Sequence, residues 1–175
     1  LGFIMIVNSI QNIKSQPLFF EFNNFIFDNK LYLKLEGLNI AGSIKLKTAK
    51  FLIDGLERSK QVERGKSIII ESSSGNLGLA LALICKDRNY EFVCVIDPNI
   101  LPEKEKLLRL YGAKIIKVTA KDASGGYLST RIKTIEHILQ SDKRYVWTNQ
   151  YKNIDNIHAH YDETAREIFD EENKT

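Results

Sequence analysis

Short runs of β-branched residues alternate with helix-like stretches through the middle of this chain, and this alternation constrains the fold more than any other feature. Residues 67–71 read Ser-Ile-Ile-Ile-Glu, a run typical of a buried parallel strand, and residues 92–96 form a second such run. Apolar residues at helical spacing precede the first run at 45–64 and separate the two runs at 77–88. Because parallel strands need crossover connections, the pattern predicts a parallel sheet with helices on both faces.

The flanking segments extend this pattern in both directions. The same reasoning predicts further strands at 18–21, 31–35, 114–118 and 145–147, and further helices at 102–111, 124–140 and 155–170. Gly65 and Gly112 are interpreted as the residues that end two of the helices. The predicted fold class is therefore α/β, with three layers in the order αβα and a mostly parallel sheet.

Composition and charge restrict the binding partners and the cellular compartment that the sequence favours. The chain has 175 residues, 43% of them hydrophobic and 27% charged, and its net charge of +3 comes without a basic run, which does not favour nucleic acid. The apolar segment 1–7 is too short to span a bilayer and lacks the basic flank of a signal peptide. Cys85 and Cys94 lie in apolar contexts, and we expect buried free thiols in a reducing, cytoplasmic compartment. The histidines do not predict a metal site.

Two motifs carry candidate chemistry. Lys45 follows the Gly42-Ser43 turn at a predicted helix start, where the helix dipole disfavours a protonated amine and so favours a nucleophile. Residues 72–78, Ser-Ser-Ser-Gly-Asn-Leu-Gly, lie between a predicted strand and a predicted helix. Their hydroxyl and backbone N–H groups suit an anion such as a carboxylate. Taken alone, each motif is also explained by a surface lysine or a plain connection; the pair indicates a covalent anchor beside a carboxylate site.

Together the motifs resemble the fold type II, or tryptophan synthase β-like, pyridoxal-phosphate enzymes, and within them the cysteine synthase/cystathionine β-synthase family. The resemblance covers about residues 16–168 and includes a Tyr-Gly-Ala turn at 111–113 and an Asn-Gln-Tyr-Lys-Asn segment at 149–153. It implies pyridoxal 5'-phosphate as the cofactor. Lys45 would bind this cofactor covalently and then serve as a general base at the substrate's α-carbon.

The resemblance also implies roles for other residues. By this resemblance, Asn76 would hydrogen-bond the cofactor's ring oxygen and Gln150 would contact the substrate carboxylate. The substrate-binding set implied in this way is Ser73, Ser74, Gly75, Asn76, Gln150, Tyr151 and Arg131. For Arg131, contact with a phosphate or a glutamate carboxylate and an ordinary place on a helix surface both remain open.

A narrower likeness lies in residues 71–78, 94–98 and 125–132. They resemble synthases that make N-(2-amino-2-carboxyethyl)-L-glutamate in 2,3-diaminopropionate biosynthesis, for siderophores and peptide antibiotics. The implied reaction is β-replacement on O-phospho-L-serine or O-acetyl-L-serine with L-glutamate as the amine, in a homodimer whose partners are small amino acids. Two alternatives stay open: a cysteine synthase that uses sulfide, and a non-catalytic fragment that serves as a folded or interaction module. A threonine dehydratase-like lyase fits the Gln150 segment less well.

The chain departs from the family pattern at two places near the lysine. Leu46-Lys47 stands where the family usually has Asp-Arg, and Ile40 stands where a proline is frequent. These changes are compatible with divergence, with a different substrate or with lost activity.

The end of the sequence is a further departure. The chain ends at Thr175, whereas family members continue for about another domain's length. We therefore expect an N-terminal half, with the C-terminal half missing: strands in 1–44 that pack on the larger domain, a small α/β domain at 45–148, and the start of the larger domain at 149–175. Gly125-Gly126 is the only other glycine-rich loop that could bind a phosphate, so the chain alone is expected to bind the cofactor poorly.

Overall fold

Strands and helices alternate along the chain in a computed structural model that describes residues 6–13, 17–26 and 29–172. The strands are β1 (Phe19–Ile26), β2 (Asn29–Lys34), β3 (Ile68–Ser72), β4 (Glu91–Ile96), β5 (Lys114–Lys117) and β6 (Tyr145–Trp147). The helices are α1 (Lys45–Arg58), α2 (Asn76–Asp87), α3 (Pro102–Leu110), α4 (Leu128–Ser141), α5 (Asp155–His158) and α6 (Arg166–Glu172). A 3₁₀ turn at Ile10–Asn12 and a π-helical turn at Ala159–Ala165 complete the described elements.

Four of the strands form one parallel sheet in the order β5-β4-β3-β6. The central strand β3 pairs with β4 on one side and with β6 on the other, and all five of its residues are buried. Strands β1 and β2 form a separate antiparallel hairpin. The α/β class with a mostly parallel sheet is therefore confirmed, and β3 lies where its continuous β-branched run predicts, in the interior.

Helices cover both faces of the sheet. On one face α1, α2 and α3 bury a large apolar cluster that includes Leu52, Leu81 and Cys94, and on the other face α4 packs through Ile135. Cys85 and Cys94 are buried free thiols, as predicted, and burial raises the pKa of the Cys94 thiol to about 12. Among the helices of the described ranges, none has the length and apolar character needed to cross a membrane.

The predicted bounds are wrong at two helices, for local reasons. Helix α1 ends at Arg58 rather than near residue 64, because Lys60 adopts a left-handed conformation (φ 56°) that breaks the helix without a glycine. Gly65, with φ 76°, lies in the turn that leads into β3 and does not end α1. Helix α4 begins at Leu128, four residues after the predicted start at 124, because residues 122–126 close a turn of their own.

Helices α1 and α2 run side by side in the same direction, and this arrangement positions the candidate site. Arg88, just after α2, donates hydrogen bonds to Asp54 (2.6 Å) and Glu57 (2.9 Å) near the end of α1. Because the helices pack against each other and their C-terminal ends meet there, their N-terminal ends point towards the carboxyl edge of the sheet, where α2 begins after β3. Lys45 and Asn76 begin these two helices. In open α/β sheets, ligands bind at this edge.

Candidate active site

The loop before α1 is held in shape by the side chain of Asn39. Its Nδ2 donates to the backbone oxygens of Glu36 (2.9 Å) and Ser43 (2.8 Å), which closes the turn from within. Gly42 has φ 66°, a left-handed conformation that glycine adopts without strain. This turn delivers Lys45 as the first residue of α1, as predicted.

Lys45 is half-buried, and within the described ranges its amine has neither a hydrogen bond nor an ion pair. His160 lies near it, with Nε2 at 3.3 Å from Thr48 Oγ1 and Nδ1 at 3.3 Å from Thr164 Oγ1. Burial, assisted by the positive charges of Lys45 and Lys47, lowers the pKa of His160. An amine that is partly shielded from water and not paired fits a covalent anchor for an aldehyde cofactor.

Lys47, one of the two positions where the family pattern is broken, is buried in a cluster of four charges. Its Nζ pairs with Glu36 at 2.9 Å and also with Glu167. Lys34 pairs with the same two carboxylates, at 2.7 Å and 2.5 Å. The lysine therefore keeps a paired cation in the first turn of α1, a role that sequence reasoning missed because neither glutamate lies near it in the chain.

The serine loop that follows β3 is organised by Ser73. The Ser73 Oγ accepts hydrogen bonds from the backbone N–H groups of Gly78 (3.0 Å) and Gly75 (3.4 Å), and thereby orders the first turn of α2. Asn76 is exposed at the helix start, where its Oδ1 accepts a hydrogen bond from Lys104 Nζ (3.0 Å). The hydroxyl of Ser73 thus supports the loop, and the amide of Asn76 is accessible from solvent.

Arg131 of α4 reaches the same loop. Its NH1 donates to Ser74 Oγ at 3.2 Å and lies 3.2 Å from Asp97 Oδ2. The Arg131 side chain is only 11% exposed, so the helix-surface alternative does not hold. Its Nε is buried and has no hydrogen-bond partner in the described part of the chain. A guanidinium therefore lies beside the serine loop with its buried Nε–H group unpaired.

Gln150, after β6, is brought next to the serine loop as the parallel sheet predicts. Its Nε2 donates to the backbone oxygen of Ser72 at 3.2 Å. Its own backbone oxygen accepts from Asn156 Nδ2 at 3.0 Å, which fixes the turn after β6. Tyr151, the next residue, is 59% exposed. The ends of β3 and β6 thus present the serine loop and Gln150 side by side, with Tyr151 open to solvent.

Glu71 is a site residue that sequence reasoning did not single out. It is fully buried at the end of β3 and accepts four hydrogen bonds. The donors are Ser72 N (2.7 Å), Trp147 Nε1 (3.1 Å), Thr148 Oγ1 (2.6 Å) and Gln150 N (3.1 Å). A signal was present in the sequence: an ionisable residue ends an otherwise apolar buried run, and such a residue needs partners.

The loop at Gly125-Gly126 is already filled by a side chain of this protein. Asp122 Oδ1 accepts from the N–H groups of Ser124 (3.0 Å) and Gly126 (3.0 Å), and Oδ2 accepts from Ser129 N (3.1 Å). The Ser124 hydroxyl also donates to Oδ1, at 2.6 Å. This bond and, to a lesser extent, the backbone bonds lower the pKa of Asp122. The donors that a phosphate would need in this loop therefore bind an internal carboxylate instead.

Parallel strands whose carboxyl ends meet a helix-starting lysine and a serine-rich anion loop are the arrangement that fold type II pyridoxal enzymes use. The sequence model of the family described as pyridoxal-phosphate dependent enzymes matches residues 13–175. The chain belongs to this family, which confirms the resemblance drawn from the lysine and serine motifs.

Relatives and solved structures agree with this assignment. The chain is 45% identical over 143 residues to the N-(2-amino-2-carboxyethyl)-L-glutamate synthase of Ralstonia nicotianae (79% of this chain, 42% of that protein). It is 44% identical over 145 residues to the synthase of the same name from Cupriavidus metallidurans (81% and 41%). The chain therefore spans less than half the length of these relatives.

Two solved structures share the fold over almost the whole chain. A hydrogen sulfide-producing enzyme from Fusobacterium nucleatum superposes with a TM-score of 0.85 at 31% identity, covering 97% of this chain and 54% of that one. An O-acetylserine dependent cystathionine β-synthase from Helicobacter pylori gives a TM-score of 0.84 at 30% identity, covering 96% and 55%.

Proposed function

We propose that the protein carrying this sequence catalyses a pyridoxal-phosphate-dependent β-replacement on an activated serine. O-phospho-L-serine is the preferred substrate and O-acetyl-L-serine the second choice, and L-glutamate is the amine that is added. The observation that carries the proposal is the meeting of the serine loop and Gln150 at the carboxyl ends of β3 and β6, with the unpaired Lys45 at the start of the neighbouring helix α1. The two relatives named as N-(2-amino-2-carboxyethyl)-L-glutamate synthases support glutamate as the acceptor.

The roles of the residues follow from their chemistry. Pyridoxal phosphate, when bound, supplies the electron sink that makes the substrate's α-proton acidic. Lys45 holds the cofactor covalently and, once released, takes the proton from the α-carbon. Asn76 binds the cofactor's ring oxygen through its accessible amide.

The substrate carboxylate is bound between two strand ends. Ser74 offers its hydroxyl at the start of α2, where the helix dipole favours an anion. Gly75 offers its backbone N–H, which makes only a long hydrogen bond of 3.4 Å to Ser73 Oγ. Gln150 offers its amide from the end of β6. Ser73 acts mainly by ordering this loop, since its oxygen already accepts two backbone hydrogen bonds.

Arg131 binds the anionic group that distinguishes the substrates, either the phosphate of O-phospho-L-serine or a carboxylate of glutamate. What supports this is its nearly buried guanidinium beside Ser74, held there by Asp97. Tyr151, exposed next to Gln150, lines the open side where the acceptor enters.

We propose the following organisation for the whole protein. The strands within 1–44 pack on a larger domain that begins at 149–175, and 45–148 form the smaller domain. The exposed apolar side chains of Leu18, Phe20 and Leu33 on the hairpin support such packing. The complete protein is a cytoplasmic homodimer that acts on small amino acids, and its two free thiols fit a reducing compartment.

The reaction is tested by supplying matched pairs of substrates to the complete protein that carries this sequence, loaded with pyridoxal phosphate. O-phospho-L-serine and O-acetyl-L-serine are each combined with L-glutamate or with sulfide, and the products are measured by mass spectrometry. We expect N-(2-amino-2-carboxyethyl)-L-glutamate and released phosphate from the first pair. Cysteine formation without the glutamate adduct would favour a cysteine synthase, and no product from any pair would favour the non-catalytic alternative.

The anchor is tested independently of turnover. Lys45→Ala should abolish the visible absorption of the protein-bound cofactor and the cofactor adduct that borohydride fixes to the peptide containing residue 45. Lys50→Ala, on the same helix and paired with Asp54, is the matched control and should keep both signals. A borohydride-fixed adduct that survives unchanged in Lys45→Ala would contradict the assignment.

A further inference from the structure

Glu71 is fully buried near the carboxyl end of β3, and its carboxylate is surrounded by hydrogen-bond donors. The N–H groups of Ser72 and Gln150 and the indole N–H of Trp147 can only donate, at 2.7, 3.1 and 3.1 Å. The hydroxyl of Thr148 adds a fourth hydrogen bond at 2.6 Å. A carboxylate offers about four acceptor positions, so the ionised form of Glu71 satisfies the whole set.

These donors belong to the two strand ends that form the proposed carboxylate site. Ser72 opens the serine loop after β3, while Thr148 and Gln150 follow β6. The side chain of Gln150 adds a second link when it donates to Ser72 O at 3.2 Å. One buried group therefore sets the spacing between the loop and Gln150 without being exposed to a ligand itself.

We propose that Glu71 is a positioning residue that holds the serine loop and Gln150 at the separation needed to bind one amino-acid carboxylate between them. The inference rests on the proposed function for the identity of the ligand. The link between the two strand ends is independent of the proposed function, because it can be measured without any substrate.

An isosteric change tests the link. In Glu71→Gln one carboxylate oxygen becomes an NH₂ group, which cannot accept and would face N–H or O–H donors. The NH₂ group is best accommodated in place of Oε2, because the Thr148 hydroxyl can accept from it, and the N–H of Gln150 then loses its acceptor. We therefore expect the amide proton of Gln150 to exchange about tenfold faster with solvent in this variant. Ser72 and Trp147 share Oε1 and keep it as their acceptor, so the fluorescence of Trp147, the only tryptophan of the chain, should change little and serves as a check that the surroundings stay folded. Glu136→Gln, an exposed change on α4, should alter neither signal.

A kinetic measurement separates positioning from a purely structural role. With the protein loaded with pyridoxal phosphate, Glu71→Gln should raise the KM for O-phospho-L-serine about tenfold or more, while kcat and the visible absorption of the bound cofactor change much less. Thr148→Val, which removes one donor and keeps the side chain's shape, should raise KM by a smaller factor. It also keeps the proposal testable if Glu71→Gln fails to fold.

The outcomes are distinct. Unchanged amide exchange at Gln150 in Glu71→Gln would overturn the link, and faster exchange with an unchanged KM would overturn the positioning role. A wild-type protein that neither binds nor converts O-phospho-L-serine would instead contradict the proposed function, and the exchange measurement would still decide whether Glu71 joins the two strand ends.

Discussion

At the scale of single residues, the site contrasts charged groups that have partners with an amine that has none. Glu71 is compensated by four donors, and Arg131 is held by Asp97 and Ser74. Buried charges without such partners are strongly unfavourable, so this pairing is what the fold requires. Lys45, at the start of α1 and near His160, has no hydrogen bond or ion pair within the described residues. An unpaired, half-buried amine is free to bond to an aldehyde, which fits the anchoring role proposed for Lys45.

His160 provides a prediction about pH. Burial, with the charges of Lys45 and Lys47, lowers its pKa below the usual 6.5, while Glu36 acts in the opposite direction. The unfolded chain therefore binds a proton at this histidine more readily than the folded protein does. The stability that neutral His160 contributes is present above about pH 6.5 and is lost as the pH falls through and below that value.

We expect an NMR titration of His160 to show a midpoint below 6.5, and Lys45→Ala to raise it by removing a nearby positive charge. Urea unfolding between about pH 7.5 and 5.5 should show a larger loss of stability for the wild type than for His160→Gln. Burial raises the pKa of Glu163, so this carboxyl group makes stability fall as the pH rises, opposite to His160. Its contribution is the same in the wild type and in His160→Gln, and therefore cancels when the two are compared. A midpoint at or above 6.5 would contradict the prediction.

At the scale of elements, helix α2 connects the core to the site. It is buried on nearly all sides, and its first turn is drawn against the serine loop. At Gly78 a Cβ atom would lie 2.9 Å from the backbone oxygen of Ser73 and 3.1 Å from Cys94 Sγ. Only a glycine at this position lets the helix approach the loop closely enough for Gly78 N to bind Ser73 Oγ.

We expect Gly78→Ala to lower the free energy of unfolding by about 1–3 kcal/mol, because the contact with backbone cannot relax cheaply. This loss outweighs the roughly 1 kcal/mol that alanine gains over glycine inside a helix. Gly37→Ala is the matched control: its Cβ would meet no atom closer than 3.9 Å, and the change should stay within about 0.5 kcal/mol. Urea unfolding of both variants checks the difference, and equal stabilities would show that α2 can shift without cost.

The helices and strands could largely be predicted from the sequence, because the spacing of apolar residues and the runs of β-branched residues are local signals. The buried strand β3 and the helix start at Lys45 are examples. The end of α1 could not be predicted, since Lys60 adopts a left-handed conformation without being a glycine. The partners of Glu71 could not be predicted either, because three of its four donors come from β6 and the residues just after it, some 76 residues or more along the chain.

At the scale of the whole molecule, a four-charge cluster joins distant parts of the chain. The cluster consists of side chains that are only 10–21% exposed. Its members are Lys34 of β2, Glu36 of the loop before α1 (the lysine loop), Lys47 of α1 and Glu167 of α6. Desolvation opposes ionisation of Glu36, but hydrogen bonds from Lys34 and Lys47 prevail and lower its pKa. The cluster thus fastens the hairpin and the last described helix to the start of α1, beside Lys45.

Removing one carboxylate from this cluster tests its contribution. Glu167→Gln leaves two lysines to share Glu36, and we expect a loss of about 1–3 kcal/mol in the free energy of unfolding, because two cations then remain partly desolvated beside a single partner. Asp170→Asn removes the same charge from an exposed position on the same helix and should cost less than about 0.5 kcal/mol. Because the cluster is partly shielded from solvent, the difference should persist at about 0.5 M salt, where exposed pairs are screened. A cost for Glu167→Gln that disappears at high salt, or that equals the cost for Asp170→Asn, would show that these charges lie effectively in solvent and do not fasten α6 to the lysine loop.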